Sequence, residues 1–575
     1  MSFLRRLLPF VIVFLALAVV WVWWNRPKKV DMAAYVPADS LVYLEANSLP
    51  DIASGFTQTE AWKALAPPAG IKSGLGEVGW LSRIAAWTGI GPADAVVFSR
   101  AQVAATVLGF EAADGGDALR VRPRHALVIE THTGASRTRA AIEKRVGEFA
   151  RRAYGEPRVE QKEVDAVYWM TWTAAAGDRR IIAAVNGSVA ILGNDEAAVR
   201  ACLAVKRGER PSLAGNIEMA EMRRRVTGSD ALAFGFISTQ GAAKLFEVAA
   251  ALYVGQISQD PQVQSLAANI LPQMASKILG SVGWSARLTG GAIEDVYFIS
   301  VKNDATARLR ETLNTTLTST LPTSELLPRD TYSVTRYTTR DPLSAWRGLN
   351  FSFSSQLDPV LALAVAPLLK AAIRPYGIEE PEQFFQSIGN GLVTARLQNE
   401  NGSTVTIVEV RDEKSLREFA LKKLGTNKPQ SERVGEAEML FSMDEERGAA
   451  SFVNGRLLLG RKEIVRQCLV ALQQGQTLAS TGSFQQSVQA ASADGLAHAV
   501  TFTNDEAPAR TFILFIAAQR AARAQPVNEQ ALLQALSRLA YASSETQLVE
   551  GGIERRTRSS FGQLGVLATQ FATNN

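Results

Sequence analysis

The sequence predicts an α+β protein: an N-terminal transmembrane helix followed by two duplicated domains of antiparallel sheet covered by helices. Three observations carry this reading. Leu7 to Trp24 is an uncharged apolar run. One hairpin-and-helix unit, Ile181 to Val205, recurs as Ala449 to Leu472. The strand-like and helical stretches around the two copies follow the same order. The expected divisions are 1–29 for the tail, anchor and basic flank, 30–310 for the first repeat and 311–575 for the second.

The run LLPFVIVFLALAVVWVWW from Leu7 to Trp24 is long enough to cross a bilayer core as a helix of about 27 Å. It ends in Trp21, Trp23, Trp24, Asn25 and Arg26, where a cleaved signal would carry small residues. Tryptophans suit the membrane interface, so the run reads as an uncleaved anchor. Arg5, Arg6 and the amino terminus oppose Arg26, Lys28 and Lys29, and charge hardly decides orientation. The very short leading tail favours a signal-anchor, with the amino terminus inside and the body extracytoplasmic.

The net charge of +5 lies in this segment. Five basic residues and no acid fall in the first 29 positions; the rest of the 61 basic residues equal the 56 acidic ones. A neutral body offers no footprint for nucleic acid.

In chain order, Val36-Pro37-Ala38-Asp39 introduces a strand from Ser40 to Ala46 whose Leu41, Tyr43 and Glu45 point one way. Leu327-Pro328-Arg329-Asp330 introduces its counterpart, Thr331 to Thr338. A Gly/Pro-rich helical stretch, Trp62 to Gly91, aligns loosely with Leu357 to Gly391. Strand Ala126 to Thr131 matches Val405 to Val410, placing Glu130 on Glu409. The next helix, Ser136 to Tyr154, carries Ile142, Val146, Phe149 and Ala153 on one stripe, and its counterpart, Lys414 to Leu424, carries Leu416, Phe419 and Leu424. Glu148-Phe149-Ala150 and Gly155 match Glu418-Phe419-Ala420 and Gly425 at a constant offset of 270, which marks homology between the halves.

Strands Ala166 to Trp172 and Glu438 to Met443 lead into the repeated hairpin. Asn186-Gly187 and Asn454-Gly455 supply the two positive-φ residues of a type I′ turn. Gly193 and Gly460 close the hairpins. The helices behind them bury Ala198, Cys202 and Val205 in one copy and Ile464, Cys468 and Leu472 in the other. Further strands start near Asp230 and Asp494. Helical segments follow, Gly241 to Leu279 interrupted at Pro261, and Ala507 to Leu539 interrupted at Pro526. Each half ends on a glycine turn, TGGAIE at Thr289 to Glu294 and VEGGIE at Val549 to Glu554.

Candidate chemistry is sparse. Gly74-Leu75-Gly76-Glu77-Val78-Gly79 fits G-x-G-x-x-G, but the preceding ALAPPAGIKS cannot be a buried strand, and a loop is the better reading. Of the three histidines, His125, His132 and His498, the first two have no partners at ligand spacing and read as surface or strand-end residues. There is no H-E-x-x-H, G-x-S-x-G, G-x-x-x-x-G-K-[ST] or C-x-x-C. Asp39, Asp230, Asp330 and Asp494 read as turn-capping residues. Cys202 and Cys468 read as small buried residues, too few for a disulfide framework. Arg223-Arg224-Arg225, with Glu218 and Glu221 close by, reads as a solvated face. The apolar helices Leu245 to Leu279 and Leu357 to Ile373, with VLALAVAPLLKAAI too short to span a bilayer, read as helices packed on a sheet. The sharper alternative is an apolar groove for a lipid or a partner helix, or a surface lying on the membrane.

The anchor followed by VPADSLVYLEA, the VNG hairpin with its helix and the duplicated α+β body resemble a family of bacterial membrane-anchored proteins catalogued only as a domain of unknown function. That resemblance implies no established reaction, and no functional residue carries over from it. The expected function is therefore a single-pass, membrane-anchored, extracytoplasmic binding or scaffold protein of the cell envelope. It has no catalytic activity, catalytic residue, cofactor or metal site, touches the lipid bilayer through residues 7–24 and has a protein partner in the envelope. The alternatives are a carrier of a lipid or other apolar ligand, and a hydrolase without a recognisable motif. Any site is expected where the halves differ or meet.

Overall fold

The computed structural model describes residues 29–573 apart from 47, 72–100, 114–119, 176–178, 229, 258–271, 274–275, 302–309, 311–312, 314–322, 355–365, 368, 401, 426–428, 492–496 and 519–525. The expected anchor, the G-x-G-x-x-G stretch, Asp494 and half of VLALAVAPLLKAAI lie outside the described residues. Among the described residues no helix is long and apolar enough to cross a membrane.

The first half runs β1 (Val42–Ala46), α1 (Leu49–Gln58), α2 (Glu60–Leu65), β2 (Gln102–Ala113), β3 (Arg120–Glu130), α3 (Ala135–Tyr154), β4 (Arg158–Val164) and β5 (Val167–Thr173). It continues through β6 (Arg180–Asn186), β7 (Val189–Gly193), α4 (Glu196–Lys206), α5 (Ile217–Val226), β8 (Ala231–Ile237), α6 (Thr239–Ile257), β9 (Leu279–Thr289) and β10 (Ala292–Val301). The second half runs β11 (Ser333–Thr338), α7 (Pro342–Ser354), α8 (Pro381–Ser387), β12 (Ile388–Arg396), β13 (Thr404–Val410), α9 (Glu413–Leu424), β14 (Gln430–Val434), β15 (Ala437–Phe441) and β16 (Ala449–Val453). It ends with β17 (Arg456–Gly460), α10 (Lys462–Gln474), α11 (Gly482–Ala491), β18 (Ala499–Thr503), α12 (Glu506–Ala518), α13 (Glu529–Leu536), β19 (Ala542–Val549), β20 (Gly552–Ser559) and α14 (Gly562–Thr573).

The 20 strands of the described residues form one antiparallel sheet. Its order from one edge to the middle is β4-β5-β6-β7-β3-β2-β1-β8-β9-β10. From the other edge it is β14-β15-β16-β17-β13-β12-β11-β18-β19-β20. The two orders are the same sequence of elements, and β10 pairs with β20 to make them continuous. The registers follow the sequence alignment: Ala126 faces Gly193 in one half, and Val405 faces Gly460 in the other.

The hairpin glycines are explained by close approach. A β-carbon on Gly193 would meet the His125 carbonyl oxygen and Val199 Cγ2, each at 2.8 Å, and one on Gly460 would lie 3.0 Å from the Thr404 carbonyl oxygen. The turns differ from expectation in one copy. Val453 pairs with Arg456, and Asn454 and Gly455 have φ of 49° and 69°, the type I′ pattern. In the first copy Asn186 itself pairs with Val189, so Gly187 and Ser188 turn the chain. Only Gly187 there has positive φ, at 65°, as a type II′ turn requires. Lys206, in the last turn of α4, donates to the Asn186 carbonyl and to its side-chain oxygen at 2.7 Å, holding Asn186 in the strand.

Both faces of each outer sheet are covered, which is why β6 and β7 are almost continuously apolar. In the first half, α4 and α5 cover one face around Cys202, Met219, Phe234 and Phe236; α3 covers the other around Ile142, Met170 and Trp172. In the second half, α10 and α11 cover one face around Cys468, Phe484 and Phe502; α7, α8 and α9 cover the other around Trp346, Phe384 and Phe419. Phe149 corrects the stripe expected on α3: it is 38% exposed, while Ala150 is fully buried. Trp172 fills the space under this helix, with its Nε1 3.7 Å from a β-carbon built on Gly147. Phe419 of α9 instead packs on Phe384, ring centres 5.1 Å apart.

Three strands went unread in the sequence, β4, β12 and β14; β12, Ile388–Arg396, begins inside the helical stretch expected to run to Gly391. The strands β4 and β14 are the sheet's outer edges, and β4 is exposed along its whole length. Charged edge strands lack apolar alternation because their role is to discourage further pairing. Helix α6 covers Thr239–Ile257, the described residues 272–273 and 276–278 are helical again, and Leu279 opens β9, so the described part of the segment expected to run to Leu279 is helical.

A fifth core lies on the middle of the sheet and belongs to both halves. Phe56 and Trp62 of α1 and α2 meet Leu232 and Trp284 of the sheet together with Phe512, Leu532 and Phe561 of the second half. Phe512 packs against Phe56 at 4.9 Å and against Phe561 at 4.5 Å between ring centres.

Candidate functional site

The residues singled out in the sequence do not gather. His125 is exposed on β3; the His132 ring lies 2.9 Å from the Gln102 side-chain oxygen. His498, just before β18, is buried, neither ring nitrogen has a partner among the described residues, and burial pushes its pKa down. Asp39, Asp230 and Asp330 are exposed at turns. Cys202 and Cys468 are free and buried in separate cores, and burial pushes both thiols up to about 12. Such thiols are poor nucleophiles.

Arg223 is not part of a solvated face. It pairs with Asp31 at 3.1 Å and with the buried Glu45 at 2.9 Å, and its guanidinium lies over Phe234. Tyr43 donates to the other Glu45 oxygen at 2.5 Å. This cluster ties Asp31, near the start of the described residues, to β1 and α5.

An open groove of about 820 Å³ in the first half is lined by Arg122, Arg179, Arg180 and Lys162, with Glu111, Glu160, Asp195 and Glu196 among them. Charges of both signs interleave, and Arg124 already pairs with Glu111 at 3.6 Å. The groove has no one-signed field to draw a charged ligand.

The site with chemical content lies where the halves meet. A cleft of about 550 Å³ has β10 and β20 as its floor and α12 and α14 as its walls. Alternation places Asp295, Tyr297 and Ile299 of β10 beside Thr557, Arg555 and Ile553 of β20 on this face. The last hairpin pairs, Thr289 with Ala292 and Val549 with Gly552, align the closing hairpins of the two halves. By that alignment Asp295 corresponds to Arg555 and Tyr297 to Thr557. The cleft therefore straddles an internal symmetry that its side chains break.

Two acids line it. Asp295, 2% exposed, accepts from the Trp284 indole N–H at 2.9 Å and from the Gln563 backbone N–H at 2.8 Å. Asp505, 8% exposed, accepts from the Ser560 backbone N–H at 2.6 Å. Burial pushes each carboxyl up to about 6, against the lowering effect of those bonds. Both acids thus hold the start of α14, where unpaired helix N–H groups favour carboxylates. Burial raises the Tyr297 phenol as well, helped by Asp295. Apolar side chains supply the rest of the lining, among them Val282, Ile299, Phe512, Ile553 and Val566.

Sequence reasoning placed a site at the junction without finding these residues. One signal was available: TGGAIED and VEGGIER differ in charge immediately after the matched Ile-Glu. Among the described residues no group of three His, Cys, Asp or Glu side chains could hold a metal ion. No family model, curated protein or solved structure matches the chain.

Proposed function

We propose that this is a membrane-anchored, extracytoplasmic binding protein of the cell envelope, built from two duplicated domains and held to the bilayer by residues 7–24. The junction cleft is its ligand site. One observation carries the reading: the cleft combines apolar walls, two buried acids and one arginine at a place where the halves meet but do not match. Concave, mostly apolar sites with a few polar groups are the usual form of small-ligand pockets, and about 550 Å³ lies within their range of roughly 300–1,000 Å³. The geometry favours the apolar-ligand form of binding over a scaffold without a ligand. The resemblance to the membrane-anchored family of unknown function agrees with the anchor and adds no ligand.

The test is native mass spectrometry of the full chain released from its own membranes. A co-purifying small molecule lost on Phe512→Trp, which narrows the cleft, supports the reading. A chain always found empty, together with recovery of a stoichiometric protein partner, replaces it with the scaffold.

The two raised carboxyls favour a hydrolase as the second reading, since an acid near 6 can hold or take a proton at neutral pH. In that case Asp505→Asn abolishes turnover of a fluorogenic ester. In the binding reading, turnover never exceeds that of the variant.

A further inference from the structure

We infer that the junction cleft takes an amphiphile with an anionic head, gripped by Arg555 at the mouth while its chain lies along the apolar wall. This rests on the binding reading above and names the class of ligand.

The argument is a census of hydrogen-bonding groups. The acceptors of Asp295 are committed to the fold: one oxygen takes the Trp284 indole and the other the Gln563 backbone, while one oxygen of Asp505 takes Ser560. A cationic head at Asp295 would have to displace bonds that seat α14 and leave buried N–H groups unpaired.

The donors are less committed. Three arginines lie close together on β20, and two of them have acids. Arg556 pairs with Glu554 at 2.7 Å, and Arg558 pairs with the buried Glu294 at 3.1 Å. Arg555 alone points to the cleft face, and its only bond among the described residues is to the Ser544 hydroxyl at 3.2 Å. No carboxylate pairs with it among the described residues. Tyr297 faces Arg555 across the strand pair, and its hydroxyl reaches the Gln563 side-chain oxygen only at 3.5 Å. The Gln563 side-chain amide N–H₂ is also uncommitted among the described residues. A planar guanidinium with a phenol and an amide beside it suits a carboxylate or phosphate, which accepts from several donors at once. The exposure of Arg555 places the head at the mouth, where it keeps part of its hydration. Phe512, Ile553, Ile299, Val282 and Val566 then cover the chain.

The symmetry mate of Arg555 explains why a single head is expected. Its counterpart is Asp295, so the cleft has one donor end and no second copy of it.

The experiment uses the full chain in nanodiscs of zwitterionic lipid and displacement of a dansylated undecanoate. The competitors are laurate, dodecyl phosphate, dodecanol and dodecylamine. Laurate or dodecyl phosphate displaces the probe at least tenfold better than dodecanol, and dodecylamine is the weakest. Arg555→Ala weakens the anionic competitors at least tenfold and leaves dodecanol unchanged, which also shows that the variant keeps its cleft; Arg555→Lys retains part of the affinity. Dodecylamine equal to laurate, or laurate unaffected by Arg555→Ala, overturns the inference and leaves the binding reading standing. Failure of the probe and all four competitors to bind the unmodified chain overturns both.

Discussion

Val296 of β10 lies directly opposite Arg556 of β20, and the two residues hold the same place in their own halves. A position that meets its own copy marks an internal two-fold axis, the geometry of an isologous contact between identical subunits. Here the two sides are covalently joined and free to diverge. Every pair near the axis is then a comparison between what one sequence position does in two settings.

Glu294 and Glu554 are such a comparison. Glu294 is 1% exposed and accepts from Arg287 at 2.6 Å and from Arg558 of the other half at 3.1 Å. Burial pushes its carboxyl up, and the two arginines more than reverse this, so it stays below the usual range. Among the described residues Glu554 pairs with the exposed Arg556 alone. Removing a buried acid strands its cations, so Glu294→Ala is expected to cost about 3 kcal/mol or more. Glu554→Ala is expected to cost under about 1 kcal/mol. Urea midpoints of the two variants check this, and equal losses would contradict it.

What was legible in the sequence was local. Turn chemistry and periodicity revealed the hairpin with its helix, the apolar faces around Cys202 and Cys468, and the matched order of the halves. Three things were not local. The edge strands β4 and β14 have no buried side to leave a period. Phe149 lost its place to Trp172, a residue on another element. The pairing of β10 with β20, and with it the cleft, joins residues over 250 positions apart, such as Asp295 and Thr557. Asp295 and Asp505 become a site only through α14, whose backbone neither acid resembles a motif for.

The displaced turn gives the second prediction. Gly455 and Ser188 occupy corresponding turn positions, yet only Gly455 has positive φ. Gly455→Ala is expected to cost about 1–2 kcal/mol, the penalty of an L side chain in the left-handed region. Ser188→Ala is expected to stay within about 0.5 kcal/mol. Thermal unfolding of both distinguishes the two turn types; a large loss at Ser188 would put the turn back at Asn186-Gly187.

Asp505 sets a pH dependence of definite sign. Its folded pKa of about 6 lies above the ordinary 3.8, so the folded state binds the proton more tightly. Its contribution to stability is full below about 3.8 and is lost as pH rises through about 6. From pH 7.5 down to 5 the unmodified chain should gain about 1–1.5 kcal/mol from this residue, and Asp505→Asn should not. Asp295 acts in the same direction, while His498, with its lowered pKa, loses stability as pH falls. The readout is therefore the difference between the chain and its variant at each pH, measured by urea titration. A difference that does not change with pH would show that Asp505 is not raised.

The central core predicts how the whole chain unfolds. Phe56 comes from the first half, and Phe512 and Phe561 come from the second; their rings touch over a sheet that is itself continuous through β10 and β20. Neither half can open without exposing this cluster and unpairing a central strand, so one cooperative transition is expected. Phe512→Ala leaves a cavity in a shared core and should cost about 3–5 kcal/mol. Tryptophan reporters separate the halves: Trp172 lies in the first and Trp346 in the second. In single-tryptophan variants the two signals should change at one denaturant concentration, and Phe512→Ala should lower both midpoints equally. A variant that shifts only the Trp346 transition would mean that the halves unfold separately and that the aromatic contact does not couple them.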